Sequence, residues 1–119
     1  MEKKKVVVIE DDATLGPALQ NFLTRELHCE VSLFGDVEKA IKQIDNTTDL
    51  VVSDVVLPGL SGFDLLKFLK KKFSKVPLIL MTGHGSIEKA VVAMKEGAYD
   101  FLVKPFTLPL LKLQFRRLF

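Results

Sequence analysis

Four short apolar segments of this chain each end in a side chain that can ionise or donate a hydrogen bond. The groups are the carboxylates of Glu10, Asp11, Asp12 and Asp54, the hydroxyl of Thr82 and the amine of Lys104. Carboxylates held together raise each other's proton affinity unless a cation lies among them, and hard oxygen ligands suit Mg²⁺. A lysine and a hydroxyl suit phosphate oxygens, so the set indicates phosphoryl transfer, which relies on positioning and electrostatic stabilisation. Asp54 is then the nucleophile and would form an aspartyl phosphate.

Five short segments rich in β-branched or aliphatic residues have the composition of buried strands. They are residues 5–9, 30–34, 49–53, 77–81 and 100–103. Their apolar residues run continuously instead of alternating with polar ones, which is typical of strands covered on both faces.

Apolar residues at helical spacing fill the stretches that separate and follow these segments. The predicted inward faces are Leu15, Leu19, Phe22 and Leu23; Val37, Ala40, Ile41 and Ile44; Phe63, Leu66, Phe68 and Leu69; Ile87, Ala90, Val91 and Met94; and Leu108, Leu111, Phe115 and Leu118. Thr14 and Ser86 are the expected N-caps of the first and fourth helices, and Gly97 is placed to end the fourth. Ser61 and Asp64 form a capping-box pattern at the start of the third.

Strands and helices that alternate along the chain predict an α/β fold with a parallel sheet covered on both faces. Right-handed crossovers leave few topologies, and the leading one is a doubly wound, flavodoxin-like sheet of five strands in the order 2-1-3-4-5. In that order the second strand lies at an edge, and the other four strand ends converge at the carboxyl side of the sheet. Open α/β sheets bind ligands there, so Asp54 is expected at the rim of a site.

Length and composition restrict the class of protein. The 119 residues are 48% hydrophobic and 27% charged, with a formal net charge of +2, as in an ordinary soluble domain. We therefore predict a single domain over residues 1–119. No apolar run approaches the roughly 18 residues that cross a bilayer, and the basic start lacks a signal-peptide core, so a cytoplasmic protein without membrane contact is expected.

Two further features exclude other kinds of site. The lysine runs at 3–5 and 70–72 have neither interleaved aromatic residues nor a helix-turn-helix signal, so no direct nucleic-acid binding is expected. Cys29 is the sole cysteine, which excludes an internal disulfide and a cysteine-based metal cluster. It lies beside an apolar run and is interpreted as a small packed side chain.

Four motifs in register resemble one known family. They are "VVVIEDD", "VVSDVVLPGLSG", "LILMTGHGS" and "GAYDFLVKPF", in that order and at the family's spacing. Over essentially its whole length the chain resembles the response-regulator receiver domains of two-component signalling. The run "MTGHGSIEKAVVAMKEGAYDFLVKPF" is most similar to the N-terminal receivers of enhancer-binding activators of sigma-54 polymerase.

The resemblance implies a metal site around the phosphoacceptor. Asp54 matches the residue that receives the phosphoryl group, and Glu10 and Asp11 match the acidic pair, with Asp11 a direct ligand. The protein's share of the Mg²⁺ shell would be Glu10, Asp11, Asp54 and the backbone carbonyl of Val56.

The resemblance also implies a phosphoryl-binding set and a switch. Thr82 and Lys104 would contact the phosphoryl group, and the small Gly83 would leave room for it. Thr82 would then move inward and be followed by Phe101, which departs from the tyrosine common in the family and has no hydroxyl. The Lys104–Pro105 bond is expected to be cis, as is characteristic of the family.

Two residues match positions that control how water reaches the acyl phosphate. They are Val56 and His84. Apolar Val56 cannot orient an attacking water molecule, so the phosphoryl group is expected to be longer-lived than with a polar residue at this position.

The implied function is a phosphoacceptor switch that acts through binding. A sensor histidine kinase would phosphorylate Asp54, and the surface of the fourth helix, fifth strand and fifth helix would change to control an output domain or partner, in sigma-54-dependent transcription. The chain would turn over no external substrate and so is not expected to be an enzyme. In such activators an ATPase and a DNA-binding domain would follow Phe119.

The last helix carries a second apolar face. Leu110 and Leu113 fall beside Arg117, away from the predicted inward face. Scattered exposed leucines are normal, but a partner surface is the alternative, most simply a homodimer through the fourth and fifth helices.

Other functional classes fit less well. A Mg²⁺-dependent phosphatase of the haloacid-dehalogenase type needs a second acid two residues after its nucleophile, where this chain has Val56. A flavodoxin-like cofactor carrier needs a hydroxyl-rich phosphate loop after the first strand, where this chain is acidic. The G-x-x-x-x-G-K-[ST] loop of ATPases does not occur. A receiver-like module that works by contact without phosphorylation stays open.

Overall fold

A computed structural model gives the fold and describes residues 3–83 and 87–119. Within those ranges the chain alternates strands and helices. They are β1 (Lys5–Ile9), α1 (Leu15–Glu26), β2 (Glu30–Phe34), α2 (Val37–Ala40), β3 (Leu50–Asp54), α3 (Gly62–Lys72), β4 (Leu78–Thr82), α4 (Ile87–Lys95), β5 (Asp100–Val103) and α5 (Leu108–Leu118). Strands β3 and β4 each lie one residue later than expected, so Asp54 and Thr82 are the last residues of their strands.

The strands form one parallel sheet in the order β2-β1-β3-β4-β5, which confirms the predicted doubly wound topology. Every residue of β3 and β4 is buried, which explains why these segments are continuously apolar. Because β3 lies between β1 and β4, the end of β3 is at the centre of the carboxyl edge.

Helices cover both faces of the sheet. On one face α1 and α5 pack against the strands through Leu19, Leu23, Leu111 and Phe115. On the other face α2, α3 and α4 pack through Val37, Ala40, Leu65, Leu66, Leu69 and Ala93. No helix in the described ranges is long and apolar enough to cross a membrane.

The cap of α1 differs from the expectation. Thr14 holds the N-cap position, but its backbone is already in the helical region (φ −99°, ψ −49°) and its side chain makes no cap hydrogen bond. Asp12 Oδ1 instead accepts the N–H groups of Thr14 and Leu15, each at 2.8 Å. The acidic run after β1 therefore starts the helix as well as contributing carboxylates.

The second helix is shorter than its apolar pattern predicts. Ile44 is buried, as expected for the inward face, but α2 ends at Ala40 and a turn follows. The following residues bond locally: Thr47 N–H donates to Asp45 Oδ1 at 2.8 Å, and Asp45 N–H donates to Thr48 Oγ1 at 3.1 Å. Such side chain–backbone bonds keep the segment after Ile44 out of a helix. Up to Ile44 the apolar spacing indicated burial correctly, although the chain past Ala40 is not helical.

The predicted inward face of α4 is wrong. Ala90 and Ala93 are buried, whereas Ile87, Val91 and Met94 are 46%, 45% and 37% exposed. The helix lies on the sheet through its small residues, and its larger aliphatic side chains face outward. The proposed N-cap Ser86 lies outside the described residues.

The other helix signals are as expected. Gly97 follows α4 with φ +108°, a left-handed conformation that glycine adopts without steric cost. Ser61 and Asp64 form the capping box of α3, with Ser61 N–H donating to Asp64 Oδ2 at 2.8 Å and Asp64 N–H to Ser61 Oγ at 3.2 Å. On α5, Leu111 and Phe115 are buried, and Leu110 and Leu113 are exposed.

Cys29 provides a test of core packing. It is 1% exposed, and burial raises the pKa of its thiol to about 11. We expect 5,5′-dithiobis(2-nitrobenzoate) at about pH 8 to react at least about a hundredfold more slowly with the native protein than with the denatured chain, because thiolate is the reactive form. The native rate should rise with pH toward the raised pKa. Similar rates in both states would contradict the burial of Cys29.

Candidate functional site

Asp54 lies at the centre of the carboxyl edge of the sheet. It is the last residue of β3, and its side chain is 12% exposed. Its Oδ1 accepts the N–H of Val56 at 3.3 Å, which turns the carboxylate toward the following loop. The group therefore sits at a rim, as expected, and is still open to solvent.

Lys104 joins this carboxylate to a second one. Its Nζ donates to Asp54 Oδ2 at 2.7 Å and to Glu10 Oε1 at 2.6 Å. The backbone N–H of Lys104 donates to the Thr82 carbonyl at 2.6 Å, and the Lys104–Pro105 peptide bond is cis. Lys104 thus ties together the ends of β1, β3, β4 and β5, through its ammonium group and its backbone N–H.

Three carboxylates form a cluster that could hold a metal ion. One oxygen each from Glu10, Asp11 and Asp54 lies within 4.8 Å of the others. With the ammonium of Lys104, the ionised set carries a formal charge of −2. All donors are hard oxygens and Asp11 is exposed, so the site fits a small divalent cation of the Mg²⁺ class with water in its shell.

Burial and charge perturb two groups of the site. Burial raises the pKa of Glu10, and the negative charge of Asp54 adds to this, although bonds from Lys104 and the Asp12 N–H act against it. Burial opposes the charge on Lys104, but hydrogen bonds to Asp54 and Glu10 outweigh this and raise its pKa. Lys104 is therefore an ammonium group at neutral pH.

Unlike Glu10 and Asp11, Asp12 does not belong to the carboxylate cluster found among the described residues. Its N–H donates to Glu10 Oε2 at 3.0 Å, while its exposed carboxylate caps α1. The bonds from Leu15 and Thr14 lower the pKa of Asp12. Asp12 therefore orients Glu10 through its backbone, while its side chain serves the helix.

Thr82 ends β4 beside Asp54. It is fully buried, and its Oγ1 has no hydrogen-bond partner among the residues that the structure describes. An unsatisfied buried hydroxyl is uncommon and calls for an explanation. Gly83 follows and is exposed, and a Cβ added there would meet nothing within 4 Å. His84 lies outside the described residues.

Val56 follows Asp54 in the loop after β3, and Phe101 lies on β5 opposite Leu80. The Val56 side chain is 72% exposed. Phe101 is half-buried on β5 and packs against the cluster that underlies α3 and α4. Its carbonyl accepts Gln114 Nε2 at 3.0 Å.

Gly62 is a structurally important residue that the sequence analysis missed. A Cβ at this first residue of α3 would lie 2.7 Å from the Asp54 carbonyl oxygen, 2.9 Å from Leu80 Cδ2 and 3.0 Å from Val55 Cα. The helix can approach the end of β3 this closely only without a side chain. The glycine directly after the cap in "LSGFD" was the available signal.

Direct hydrogen bonds connect some of the site residues that the sequence predicts. Glu10, Asp54 and Lys104 are bonded to one another, and Asp11 joins them in the acidic cluster. Thr82 is linked through its carbonyl to Lys104. The chain thus presents acidic ligands, a fixed ammonium and an unpartnered hydroxyl at one edge, an arrangement suited to a phosphoryl group and a divalent cation.

Comparison with known proteins gives a consistent family. The description "Response regulator receiver domain" matches residues 6–116. The chain is 45% identical over 105 residues to transcriptional regulatory protein FixJ of Bradyrhizobium diazoefficiens, covering 87% of this chain and 51% of FixJ. It is 39% identical over 99 residues to regulatory protein LuxO of Vibrio cholerae, covering 82% of this chain and 22% of LuxO. It therefore spans about half of the first relative and about a fifth of the second.

A solved structure agrees with this family. The receiver domain protein from Clostridium thermocellum superposes with a TM-score of 0.89 at 32% identity, covering 97% of this chain and 93% of that one. The agreement extends over nearly all of both chains.

The close approach at Gly62 predicts a stability defect. Gly62→Ala should lower the free energy of unfolding by about 1–3 kcal/mol, because the new methyl group must displace backbone at the end of β3. Gly35→Ala is the control, since a Cβ there meets nothing within 4 Å. Urea unfolding of both variants measures the difference, and equal stabilities would show that α3 tolerates a side chain at this contact.

Proposed function

This chain belongs to the response regulator receiver domains, and on that basis we propose that it accepts a phosphoryl group on Asp54. The observation that carries this proposal is Lys104 Nζ, which lies 2.7 Å from Oδ2 of a carboxylate that remains 12% exposed. A phosphodonor can reach such a carboxylate, and the ammonium can meet the charge of the phosphoryl oxygens. The proposed donor is the phosphohistidine of a sensor histidine kinase, as is typical of the family.

In the proposed reaction a carboxylate oxygen of Asp54 forms a bond to phosphorus. The bond between phosphorus and the histidine nitrogen of the kinase breaks, and the nitrogen keeps its electron pair. The two hydrogen bonds of Lys104 to Glu10 and Asp54 hold its charge in place before the donor arrives, so little reorganisation is needed.

We propose that Glu10, Asp11 and Asp54 hold Mg²⁺ and that the backbone carbonyl of Val56 is a further ligand. The support is the clustering of the three carboxylates and their formal charge of −2 after pairing with Lys104. When bound, Mg²⁺ would supply positive charge at the phosphoryl oxygens.

Thr82 and Phe101 are proposed to convert phosphorylation into a change of surface. A phosphoryl oxygen on Asp54 would offer the buried Thr82 hydroxyl the acceptor it lacks among the described residues. Gly83 would leave room for the group, and Phe101, half-buried on neighbouring β5, would follow into the space that Thr82 leaves. A local charge change would thereby bias a packing arrangement.

The proposed output surface is formed by α4, β5 and α5. It presents exposed aliphatic side chains: Ile87, Val91 and Val92 on α4, and Leu110 and Leu113 on α5. We propose that this surface contacts a second copy of the chain or an output domain, without turnover of an external substrate. The name of FixJ, a transcriptional regulatory protein, supports regulation of transcription. The likeness to sigma-54 activators gives the finer proposal, with residues 1–119 as one receiver domain.

Intact-mass spectrometry after incubation with acetyl phosphate tests the acceptor. We expect one phosphoryl adduct that requires Mg²⁺ and is absent from Asp54→Asn, because the amide lacks the nucleophilic carboxylate oxygen. Asp12→Asn is the matched control and should keep the adduct, since that carboxylate caps α1. Failure of the wild-type chain to gain the adduct would favour a receiver-like domain that works by contact alone.

Val56 gives a prediction for the lifetime of the adduct. Val56→Asn should shorten it by about two- to tenfold, because an amide can orient water toward the acyl phosphate and an exposed valine cannot. Leu60→Asn is the control, since Leu60 is an exposed aliphatic residue of the same loop, at 41%. Loss of phosphate is followed by intact mass after desalting. If both variants dephosphorylate at the wild-type rate, Val56 does not control hydrolysis of the acyl phosphate. The corresponding role of His84 is a separate proposal.

A further inference from the structure

Gln114 is a polar residue in the apolar core face of α5. It is 5% exposed and lies next to buried Phe115 and one turn from buried Leu111. Burying an amide among apolar side chains is unfavourable unless the amide is hydrogen-bonded. An apolar residue of similar size would serve packing equally well, so the amide calls for a specific role.

The amide makes one bond to the neighbouring strand. Its Nε2 donates to the carbonyl of Phe101 at 3.0 Å. Because a carbonyl can only accept, this bond sets the orientation of the amide. Its Oε1 is buried and has no hydrogen-bond partner in the described part of the chain. The amide is therefore only half satisfied, and a buried polar atom without a partner is energetically unfavourable.

Phe101 is held unusually for a strand residue. Strand β5 is at the edge of the sheet, and side chains bond both backbone groups of Phe101: Asp100 Oδ1 accepts its N–H at 2.8 Å, and Gln114 donates to its carbonyl. The backbone of Phe101 is thus attached directly to α5. Any displacement of the Phe101 backbone must either carry Gln114 with it or break their bond.

Within residues 3–83 and 87–119, the buried side-chain atoms without a partner are Thr82 Oγ1 and Gln114 Oε1. Thr82 lies on β4, which pairs with the strand that carries Phe101, and Leu80 is opposite Phe101 in the register. One unsatisfied group belongs to the last residue of β4, and the other lies on α5, which is bonded to β5. The two lie on either side of the proposed aromatic switch.

We propose that Gln114 is a positioning residue that couples α5 to the backbone of Phe101, so that a displacement of this backbone on phosphorylation is transmitted to the helix. The inference rests on the proposed function and adds the connection between the switch residue and the output surface. Gln114 touches no reacting atom. It acts by holding or releasing the Phe101 carbonyl.

The test is hydrogen–deuterium exchange of α5 in the wild type and in Gln114→Met, with and without acetyl phosphate and Mg²⁺. Methionine keeps the length and volume of the side chain but removes both the donor and the unsatisfied oxygen. Leu111→Met is the matched control, because it also places methionine in the core face of α5 and leaves the Phe101 bond intact.

In the wild type and in Leu111→Met we expect phosphorylation to accelerate exchange of α5 amides by about two- to tenfold, the range that corresponds to one hydrogen bond. In Gln114→Met the ratio of α5 exchange rates with and without phosphorylation should approach one. The change in exchange that phosphorylation causes at the end of β4 should be retained in this variant. A purely structural role would alter exchange in both states equally and leave the ratio unchanged. An unchanged ratio in Gln114→Met therefore overturns the coupling.

Intact mass of the same samples distinguishes failure of the coupling through Gln114 from failure of phosphorylation at Asp54. A phosphoryl adduct in wild type and Gln114→Met, with loss of the α5 response only in the variant, supports the coupling. An adduct with no α5 response in the wild type contradicts the coupling and leaves the phosphoacceptor standing. Absence of the adduct from the wild type contradicts the proposed function and the inference together.

Discussion

The ammonium of Lys104, held between the carboxylates of Glu10 and Asp54, is the interaction on which the rest of the site depends. It joins residues 94 and 50 positions apart in the chain. Two carboxylates this close would raise each other's proton affinity without a compensating cation. The ammonium removes part of that repulsion and leaves an excess negative charge that a divalent cation can balance. This arrangement of charges supports the proposed binding of a phosphoryl group together with a metal ion.

The fold brings these charges together because all its strands are parallel. Parallel strands end at one edge, and the order β2-β1-β3-β4-β5 places Asp54 between the ends of β1 and β4. Helices α1 and α3 contact this edge. The Asp12 side chain caps α1 while its backbone N–H donates to Glu10. Gly62 allows α3 to approach the Asp54 carbonyl. Parts of the chain that stabilise the domain therefore also position its reactive groups. A change at Gly62 is expected to disturb both.

Sequence patterns predicted the strands and topology well and the helix faces unevenly. Segments rich in β-branched and aliphatic residues identified all five strands. The signal is strongest in β1, β3 and β4, because strands that are buried on both faces must be apolar. On α4, Ala90 and Val91 both fit helical spacing, but the alanine is buried and the valine exposed. A helix rich in apolar residues carries more than one plausible stripe, and its contact with the sheet selects among them. At α2, periodicity extended the helix to Ile44, whereas a turn follows Ala40 and the local bonds of Asp45 and Thr48 come after it.

By itself, the sequence determined which chemical groups follow each strand, because a residue's place at the end of a strand depends on local composition. This identified the candidate site residues Glu10, Asp11, Asp54, Thr82 and Lys104. The predicted family of the chain is confirmed. Only the tertiary structure decided which of them touch: that Lys104 binds both Glu10 and Asp54, that Thr82 Oγ1 lacks a partner among the described residues, and that Gln114 reaches Phe101. Such contacts join residues far apart in the chain. Their geometry follows from how strands and helices pack against one another, and no local pattern records it.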